Sequence, residues 1–377
     1  MPLYMDFHKF PHITIEEAKK AHMADESIQK KYGVKYLQFW VNEGAGTIFC
    51  LVEGPDMPTC ESVHQMAHGH VACAMVEVDP SYYSLIMGEN IRIDQGVVHD
   101  EDGSVDLGYR SILAVTVQGR PPEQAKEGKP LARLEDYEYL KTPLRAREVV
   151  FREVSKFNGR PVKLTGDDTL VNVFNSASQA VECAREIQTG LLSQNNKAKG
   201  KEGPVIFKIG LSAGQPVTEN NEFIEVTIRL AKRLCMIADE SRILRSSLIH
   251  ELCEEDPNGS TKIKSLSANE EVFLTELFGI IEAQLSDENF NIDSLVRAIG
   301  MSRPQLYRKI QSLAGKAPND LIRDLRLDKA LSLLRRKSGN ISEIAFEVGF
   351  NNPSYFAKCF AVKFGCLPSR FMALTTG

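Results

Sequence analysis

The stretch EIAFEVGFNNPSYFAKCFAVKFG, residues 343–365, decides how the last part of the chain folds. It contains a short apolar helical pattern, a turn at Gly349 and a longer helical pattern that starts near a proline. Glycine suits such a turn because it adopts positive φ without steric cost. Phe356, Phe360 and Phe364 recur every four residues, so we expect them to share one buried helix face. A short helix, a turn and a longer helix in this order predict a helix-turn-helix unit.

Residues 292–315 carry the same arrangement a second time. Gly300 takes the place of the turn glycine, and a proline again lies near the first turn of the longer helix. Leu306, Ile310 and Leu313 recur at intervals of three or four residues and are expected to face inward. The sequence therefore predicts a pair of helix-turn-helix units.

Between the two units lies PNDLIRDLRLDKALSLLRRK, residues 318–337, which we predict to be one amphipathic helix. About 18 helical residues span about 27 Å, a length suited to placing two recognition helices about one DNA turn apart, near 34 Å. Residues 290–377 contain fourteen Lys and Arg against six Asp and Glu, although the whole chain has a net charge of -5. This local excess of positive charge predicts contact with a polyanion.

The faces opposite the two apolar stripes carry side chains that suit DNA. Arg can bond guanine through two donors, Asn and Gln can bond adenine, and Lys can bond phosphate or guanine. We predict a double-stranded DNA interface made of Ser302, Arg303, Gln305, Arg308, Lys309, Asn351, Asn352, Ser354, Tyr355 and Lys358. Lys363 is predicted to contact phosphate. The alternative for a basic helical tail is a solvated bundle or a protein-docking module, but two matched units with this charge favour DNA.

Residues 270–373 resemble the AraC/XylS family of transcription regulators. The motifs that carry the resemblance are LVRAIGMSRPQLYRKIQSLAG and ISEIAFEVGFNNPSYFAKCFAVKFGCLPSRF. The resemblance implies DNA binding by both units and promoter regulation governed by a separate N-terminal domain. The sequence departs from the family at Ala361 and Val362, where a basic pair is common.

Residues 1–80 are predicted to form a ferredoxin-like βαββαβ unit. Thr14 and Glu17 have the spacing of a capping box at the start of the first helix. VKYLQFWV and GTIFCLVEG are expected to be strands around the turn NEGAG, followed by the helix MPTCESVHQMAHG and the strand ACAMVEV. This order of elements defines the fold class of the first domain.

Histidine spacing in this unit indicates a metal site. His64 and His68 lie four residues apart, hence on one helix face, where two imidazoles can bind nickel or zinc. Asp6 and His8 share one face of the first strand, and Cys50 lies in the middle of another. We predict His8, Cys50, His64 and His68 as ligands. The alternative is that His64 packs between helix and sheet while Cys50 is a small core residue.

Residues 1–80 also resemble a small nickel-binding family of ferredoxin-like fold, through MPLYMDFHKFP, GTIFCLVEGP and VHQMAHGHVACAMVEV. The resemblance implies nickel or another divalent transition metal as cofactor, and its motif matches best at Cys50 and His64. Some members carry a further histidine on the second strand, where this chain has Gln38.

The middle of the chain resembles a class III nucleotide cyclase domain, through VKLTGDDTLVNVFNSASQAVECAREIQ and FKIGLSAGQPVTENNEFIEVTIRLAKRL. The resemblance implies nucleotide-binding roles for Lys163, Asp167 and Arg233. Such enzymes hold two cations with two aspartates. Thr116 stands where the second aspartate is expected, so we predict a degenerate domain for dimerisation or ligand sensing, without enzyme activity. The alternative is an active cyclase with a DNA-binding tail.

Together these patterns predict a multidomain α+β protein with domains at residues 1–80, 108–252 and 268–377. The predicted function is transcription regulation at promoter DNA, tuned by an N-terminal metal or ligand sensor; a nickel-binding protein is a further alternative. A homodimer and a small-molecule or nucleotide effector are expected. The chain has no apolar run of about 20 residues, no secretory N-terminus and no CxxC pair among its eight cysteines, so a cytoplasmic location without membrane contact is expected.

Overall fold

The computed structural model confirms a multidomain α+β fold, with a β-rich N-terminal domain, a second sheet in the middle and a helical C-terminal domain. The description that follows covers residues 1–88, 92–100, 102–122, 134–163, 169–197, 203–253 and 263–374. Among these residues, no helix is both long and apolar enough to span a bilayer.

The N-terminal domain has the predicted βαββαβ order. Its elements are β1 (Leu3–Lys9), α1 (Ile15–Tyr32), β2 (Lys35–Asn42), β3 (Thr47–Glu53), α2 (Met57–Ala67) and β4 (Ala74–Val78). The strands lie in the order β4-β1-β3-β2. Thr14 begins α1 with the predicted capping box, in which Glu17 accepts a hydrogen bond from the Thr14 backbone.

The first sheet continues beyond the predicted domain end at residue 80. The added elements are α3 (Pro80–Met87), β5 (Arg92–Asp94) and β6 (Val97–His99). β6 runs parallel to β2, and β5 forms the outer edge of the sheet. Short strands in a segment rich in Asp and Gly carry little periodic signal, so the sequence did not predict them.

The middle domain is a second six-stranded sheet with helices on both faces. Its elements are β7 (Arg110–Gly119), a 3-10 helix (Leu134–Leu140), α4 (Thr142–Lys156), β8 (Arg160–Val162), β9 (Leu170–Phe174), α5 (Ala177–Lys197), β10 (Val205–Gly214), α6 (Glu225–Ile237), β11 (Ile243–Arg245), α7 (Ser247–Leu252) and β12 (Ile263–Ser265). The strand order is β12-β11-β10-β7-β9-β8. Helices α4, α5 and α7 cover one face, and α6 packs on the other.

The C-terminal domain is helical, with two helix-turn-helix units. Its helices are α8 (Ala268–Gln284), α9 (Ile292–Ile299), α10 (Arg303–Ala314), α11 (Pro318–Arg336), α12 (Ile341–Glu347), α13 (Pro353–Phe364) and α14 (Pro368–Leu374). The turn glycines Gly300 and Gly349 have φ of 68° and 86°. A Cβ at Gly349 would lie 2.4 Å from the Leu285 carbonyl oxygen, so the turn requires glycine for space as well.

Helix α11 is shared between the cores of the two units. Its first half contributes Leu321 and Leu325 to the core of the first unit. Its second half contributes Leu331 and Leu334 to the core of the second unit. Because one helix enters both cores, the two units are held at a fixed distance and rotation.

The N-terminal and middle domains meet in one continuous apolar core, which we call the first joint. Trp40 from β2 lies in the same core as Ile112 from β7 and Ile228 from α6. The side of the first sheet that does not face α1 and α2 is therefore covered by the second sheet and its helix.

Two arginines bind the C-terminal carbonyls of α3 at this joint. Arg110 is fully buried, and its guanidinium donates to both carboxylate oxygens of Asp106 at 3.0 and 2.8 Å and to the Met87 carbonyl at 3.0 Å. Arg160 donates to the Ile86 carbonyl at 2.9 Å. The last carbonyls of α3, which have no partner within the helix, are satisfied by the middle domain.

The middle and C-terminal domains meet at a second joint, where Leu234 of α6 and Phe278 of α8 belong to one apolar core and polar contacts lie beside it. Arg233 on α6 donates to Glu282 on α8 at 2.7 Å, and the Tyr139 hydroxyl donates to the Phe364 carbonyl at 2.8 Å. Between these contacts lies a cavity of about 520 Å³, lined by both domains. Thr116 lines it from β7, opposite side chains of α11 and α13.

Candidate metal centre and nucleic-acid interface

Four buried side chains of the N-terminal domain converge beneath α2. Asp6 and His8 come from β1, Cys50 from β3 and His64 from α2, and their ligand-type atoms all lie within 4.8 Å of one another. Asp6 and Cys50 are directly opposite in the antiparallel pair, which places both side chains on the face of the sheet that α1 and α2 cover. His64 Nε2 lies 2.8 Å from Asp6 Oδ2, and His8 Nε2 lies 3.3 Å from Asp6 Oδ1.

A second group shares His64 with the first. His64 Nδ1 lies 3.1 Å from Asp25 Oδ2, and His68 Nε2 lies 3.3 Å from the same oxygen. The structure thus brings together three of the four predicted ligands, His8, Cys50 and His64, and places His68 in the second group. The sequence did not predict Asp25. A signal for it exists, since Asp25 continues the inward-facing stripe of α1 that contains the buried Ala18.

The buried charges of this region set the pKa values of its members. Burial alone would raise the pKa of Asp6, but the nearby His8 charge and the hydrogen bond from His64 hold it well below its usual range. Burial would lower the pKa of His64, but hydrogen bonds to Asp25 and Asp6 raise it to about 10. Burial raises the pKa of the Cys50 thiol, with Asp6 and Asp25 adding to the effect. A bound divalent cation would reverse this local balance and favour the thiolate.

The residues present fit a divalent transition metal. His8 Nε2 is buried, and apart from its 3.3 Å approach to Asp6 Oδ1 it makes no hydrogen bond within the described part of the chain. Buried polar atoms without a partner are costly unless something else satisfies them. The donor set of carboxylate, two imidazoles and one thiol suits borderline metals such as nickel, zinc or cobalt. A cavity of about 460 Å³ that His68 and Asp25 line adjoins the cluster.

Gln38 lies on the opposite side of the sheet from this cluster. A β-bulge between Tyr36 and Gln38 shifts the register of β2 against β3. As a result the Gln38 amide donates to the Tyr83 hydroxyl at 2.9 Å in the first joint, while the Tyr36 ring packs 4.8 Å from the His64 ring. The position that faces the cluster from β2 is therefore aromatic.

All ten side chains predicted to contact DNA are exposed. They are Ser302, Arg303, Gln305, Arg308, Lys309, Asn351, Asn352, Ser354, Tyr355 and Lys358. The opposite faces of the same helices are buried, through Leu306 and Ile310 on α10 and through Phe356, Phe360 and Phe364 on α13. The two predicted stripes therefore remain accessible while the C-terminal domain packs against the middle domain.

Several of these side chains also have local structural roles. The Ser302 backbone and hydroxyl donate to Gln305 Oε1 at 3.0 and 2.8 Å in a capping box at the start of α10. Asn352 Oδ1 accepts from the Tyr355 N–H at the start of α13. The Lys309 ammonium lies 4.5 Å from the centre of the Phe273 ring on α8. These contacts orient the first turns of both helices.

Lys363, which the sequence predicted to contact phosphate, is paired within the C-terminal domain in this structure. Its ammonium donates to the Asp324 carbonyl at 2.9 Å and pairs with the Asp328 carboxylate at 2.7 Å, both on α11. It lines the cavity of the second joint, on the side of α13 that faces the middle domain. The sequence of α13 alone does not show that α11 lies within reach of this side chain.

Two of the three residues predicted to bind nucleotide, Lys163 and Arg233, lie within the described part of the chain. Arg233 is buried, pairs with Glu282 on α8 and lies over the Phe278 ring at 5.7 Å. Lys163 is exposed at the end of β8. Asp167 lies outside the described residues. The position of Arg233 shows that this side chain serves the second joint in this structure.

Two family models match the chain. Residues 4–78 match the model described as nickel responsive protein SCO4226-like, and residues 295–373 match a helix-turn-helix domain model. The chain therefore carries an SCO4226-like domain at its N-terminus and an AraC-type helix-turn-helix domain at its C-terminus, as the two resemblances predicted.

Similar proteins match parts of the chain. The HTH-type transcriptional regulator MtrA of Neisseria gonorrhoeae is 33% identical over 85 residues, which cover 22% of this chain and 28% of that protein. The chain spans less than half of the length of the curated relatives with the strongest matches, between 8% and 49% of each.

Solved structures also match parts of the chain. SCO4226 from Streptomyces coelicolor A3(2) is 39% identical and covers 20% of this chain and 94% of that chain, with a TM-score of 0.20. An adenylate/guanylate cyclase/hydrolase from Silicibacter pomeroyi is 23% identical and covers 40% of this chain and 82% of that chain, with a TM-score of 0.31.

Proposed function

We propose that this chain is a sequence-specific DNA-binding transcription regulator whose promoter binding is tuned by its N-terminal metal-binding domain. The observation that carries the proposal is the exposure of all ten predicted side chains on two helices whose opposite faces are buried. The helix-turn-helix match and the similarity to regulators such as MtrA support it. The partner is double-stranded promoter DNA.

The spacing of the two units supports simultaneous contact with DNA. Helix α11 contains 19 residues, which span about 28 Å. The shared cores at both ends of α11 keep α10 and α13 in a fixed relation. Arg303 and Arg308 on α10 supply the forked donors that read guanine, and Asn352 and Ser354 at the start of α13 supply shorter polar groups.

The test separates base reading from general attraction to DNA. Arg308→Lys keeps the charge but removes the fork, and Asn352→Ser keeps an oxygen that can begin α13 but removes the amide. Each change should relax base preference by about 1–3 kcal/mol at one position. Selection from randomised duplexes measures preference, and fluorescence anisotropy measures affinity. The control Lys35→Gln removes one charge from an exposed side chain at the start of β2 and should leave base preference unchanged. Equal behaviour of all three variants would contradict the proposal.

We further infer that nickel or another divalent transition metal binds Asp6, His8, Cys50 and His64. The metal would supply a fixed positive charge that ties β1, β3 and α2 together. If metal occupancy changes the affinity for DNA, DNA must change the affinity for metal by the same factor.

Elemental analysis tests the metal part of the proposal. Chelator-stripped protein is incubated with nickel or zinc, passed through a desalting column and measured. Stoichiometric metal is expected in the wild-type protein, with loss in His64→Ala. A wild-type protein that retains neither metal would end this part of the proposal while leaving the DNA part standing.

We infer that the middle domain acts without catalysis. Thr116 stands where the cyclase resemblance expects an aspartate, and Arg233 is engaged by Glu282. The cavity of about 520 Å³ at the second joint has the size of a small-molecule site. It would hold a small-molecule or nucleotide effector, and the working unit would be a homodimer. Turnover of ATP or GTP with magnesium or manganese would contradict the absence of catalysis. Sedimentation velocity tests whether the chain forms a homodimer.

A further inference from the structure

His64 belongs to two overlapping clusters of ligand-type side chains. Its Nε2 faces Asp6 in the cluster with His8 and Cys50, and its Nδ1 faces Asp25 in the cluster with His68. A ring nitrogen binds a metal only through a lone pair, so it must first lose any proton that it carries. The positions of the ring protons therefore decide which cluster can hold a metal.

The hydrogen bonds of His68 assign its proton. The backbone N–H of His70 donates to His68 Nδ1 at 3.2 Å, so Nδ1 acts as an acceptor. A neutral imidazole has one donor and one acceptor nitrogen, which places the His68 proton on Nε2. That nitrogen lies 3.3 Å from Asp25 Oδ2. The Nε2 proton of His68 is thus directed at Asp25, and the 3.2 Å approach of His64 Nδ1 to this nitrogen follows because both rings donate to one oxygen.

Asp25 also receives the second ring edge of His64. Its Oδ2 lies 3.1 Å from His64 Nδ1, and its side chain is 2% exposed. The same oxygen lies 3.3 Å from His68 Nε2, so Asp25 Oδ2 is the shared acceptor of the two imidazole rings. A buried carboxylate at one imidazole nitrogen favours a proton on that nitrogen and leaves the other nitrogen available.

We propose that Asp25 is a positioning residue that keeps the proton on His64 Nδ1 and directs Nε2 to a single metal ion among Asp6, His8 and Cys50. The inference rests on the metal-binding part of the proposed function. When a metal binds, it takes the place of the proton on Nε2, which passes to solvent, while Nδ1 keeps its proton. Asp25 then fixes the ring orientation without touching the metal.

Metal titration of chelator-stripped protein gives the first test, with cobalt(II) as the probe. The wild-type chain should take up one ion. Asp25→Asn should also take up one ion, with 10–100-fold weaker affinity and an unchanged visible spectrum, because the coordinating atoms are the same. Asp25→Glu should recover part of the affinity. His68→Gln, the matched control, should keep the stoichiometry and the spectrum. Two ions in the wild-type chain and one in Asp25→Asn would overturn the proposal.

Nitrogen-15 NMR of the histidine rings in the metal-free protein gives the second test. A slowly exchanging proton on His64 Nδ1 is expected in the wild-type protein and should be lost in Asp25→Ala, with backbone spectra confirming that both remain folded. A wild-type protein that takes up no cobalt would refute the metal-binding part of the proposed function. The NMR measurement would even then test whether Asp25 keeps the proton on His64 Nδ1. Absence of the protected proton, or its persistence in Asp25→Ala, would overturn the inference.

Discussion

The two joints of the molecule both contain a shared apolar core, but they differ in the polar groups and the empty space beside that core. At the first joint, Arg110 and Asp106 are buried inside an apolar core that both domains share. At the second joint, Glu282 is 46% exposed and a cavity of about 520 Å³ separates parts of the two surfaces. A joint that also contains exposed ion pairs and a cavity rearranges at a smaller cost than one that is closed throughout. We therefore expect the N-terminal and middle domains to be coupled more tightly than the middle and C-terminal domains.

Charged side chains of the C-terminal domain line the cavity of the second joint. Lys316 and Lys363 both pair with Asp324, and Lys363 also pairs with Asp328. Burial lowers the pKa of Lys208, whose ammonium donates to the Met236 carbonyl at 2.9 Å. Ion pairs at partly exposed surfaces contribute little to stability and can exchange partners. A rearrangement here would change how the DNA-reading helices are presented without disturbing the metal cluster.

The largest expected effect is at the first joint. Asp106→Asn removes the only charge that bonds the fully buried Arg110 in the described structure, and leaves an uncompensated cation in the core. The free energy of unfolding should fall by about 3–5 kcal/mol. Urea unfolding, followed by the fluorescence of the single tryptophan, Trp40, measures it. The control Glu240→Gln breaks the exposed pair with Arg120 and should cost less than about 1 kcal/mol. Equal losses of unfolding free energy in Asp106→Asn and Glu240→Gln would contradict a buried ion pair at the first joint.

The second prediction concerns pH in the metal-free protein. The pKa of His64 is raised to about 10 by its two carboxylate partners. A raised pKa stabilises the fold fully below the ordinary histidine value of about 6.5, and this contribution is lost as pH rises towards about 10. The lowered pKa of Asp6 acts in the opposite direction, since its contribution is lost only on acidification. From pH 7 to 9 the free energy of unfolding should fall by at most about 1.4 kcal/mol per unit.

This pH dependence also tests whether the first two domains act together. Hydrogen exchange of β10 in the middle domain should follow the same pH profile as Trp40 fluorescence, while α13 should not. The variant His64→Gln should flatten both profiles. A pH dependence confined to the N-terminal domain would show that the first joint does not transmit stability.

The third prediction concerns the second joint. Tyr139→Phe removes the hydroxyl that donates to the Phe364 carbonyl, and should cost about 1–2 kcal/mol. The loss should appear as faster hydrogen exchange in α13 and α14, with Trp40 fluorescence unchanged. Tyr32→Phe on α1 is the control and should leave both unchanged. Destabilisation of all three domains by Tyr139→Phe would mean that the second joint is as rigid as the first.

The smallest effect is expected for Glu282→Gln. This change breaks the ion pair between Arg233 and the Glu282 carboxylate, and the Glu282 side chain is about half exposed. The cost should be below about 1 kcal/mol and should shrink as salt is raised from 0.05 to about 0.5 M, because salt screens exposed charges. Urea unfolding at the two salt concentrations measures it. A cost that is independent of salt would place this pair among buried contacts.

Much of the C-terminal domain was predictable because its signals are local. The repeated glycine turns at Gly300 and Gly349 and the spacing of Phe356 and Phe360 each lie within one turn or one helix. The βαββαβ order of the first domain followed from strand alternation and from the capping box at Thr14. Patterns of this kind report the neighbours of a residue along its own element.

The parts that were missed depend on contacts between elements. Asp25 reaches His64 across two helices, and no spacing along the chain reports their distance. Lys363 was predicted to contact phosphate, but in this structure its ammonium pairs with the Asp328 carboxylate on α11. The bulge that turns Gln38 away from the cluster changes a strand phase by one residue. Predicting a set of metal ligands or a contact between domains therefore requires the three-dimensional structure.

The sharing of α11 between two cores restricts how genes for such proteins can change. One inserted codon in this helix would rotate one half by about 100° and carry its leucines out of their core. Seven inserted codons, close to two full turns, would restore the phase and move the two units about 10 Å further apart, roughly three base pairs of DNA. Lineages that descend from this chain should therefore alter the distance between their two half-sites in jumps, with no intermediate lengths.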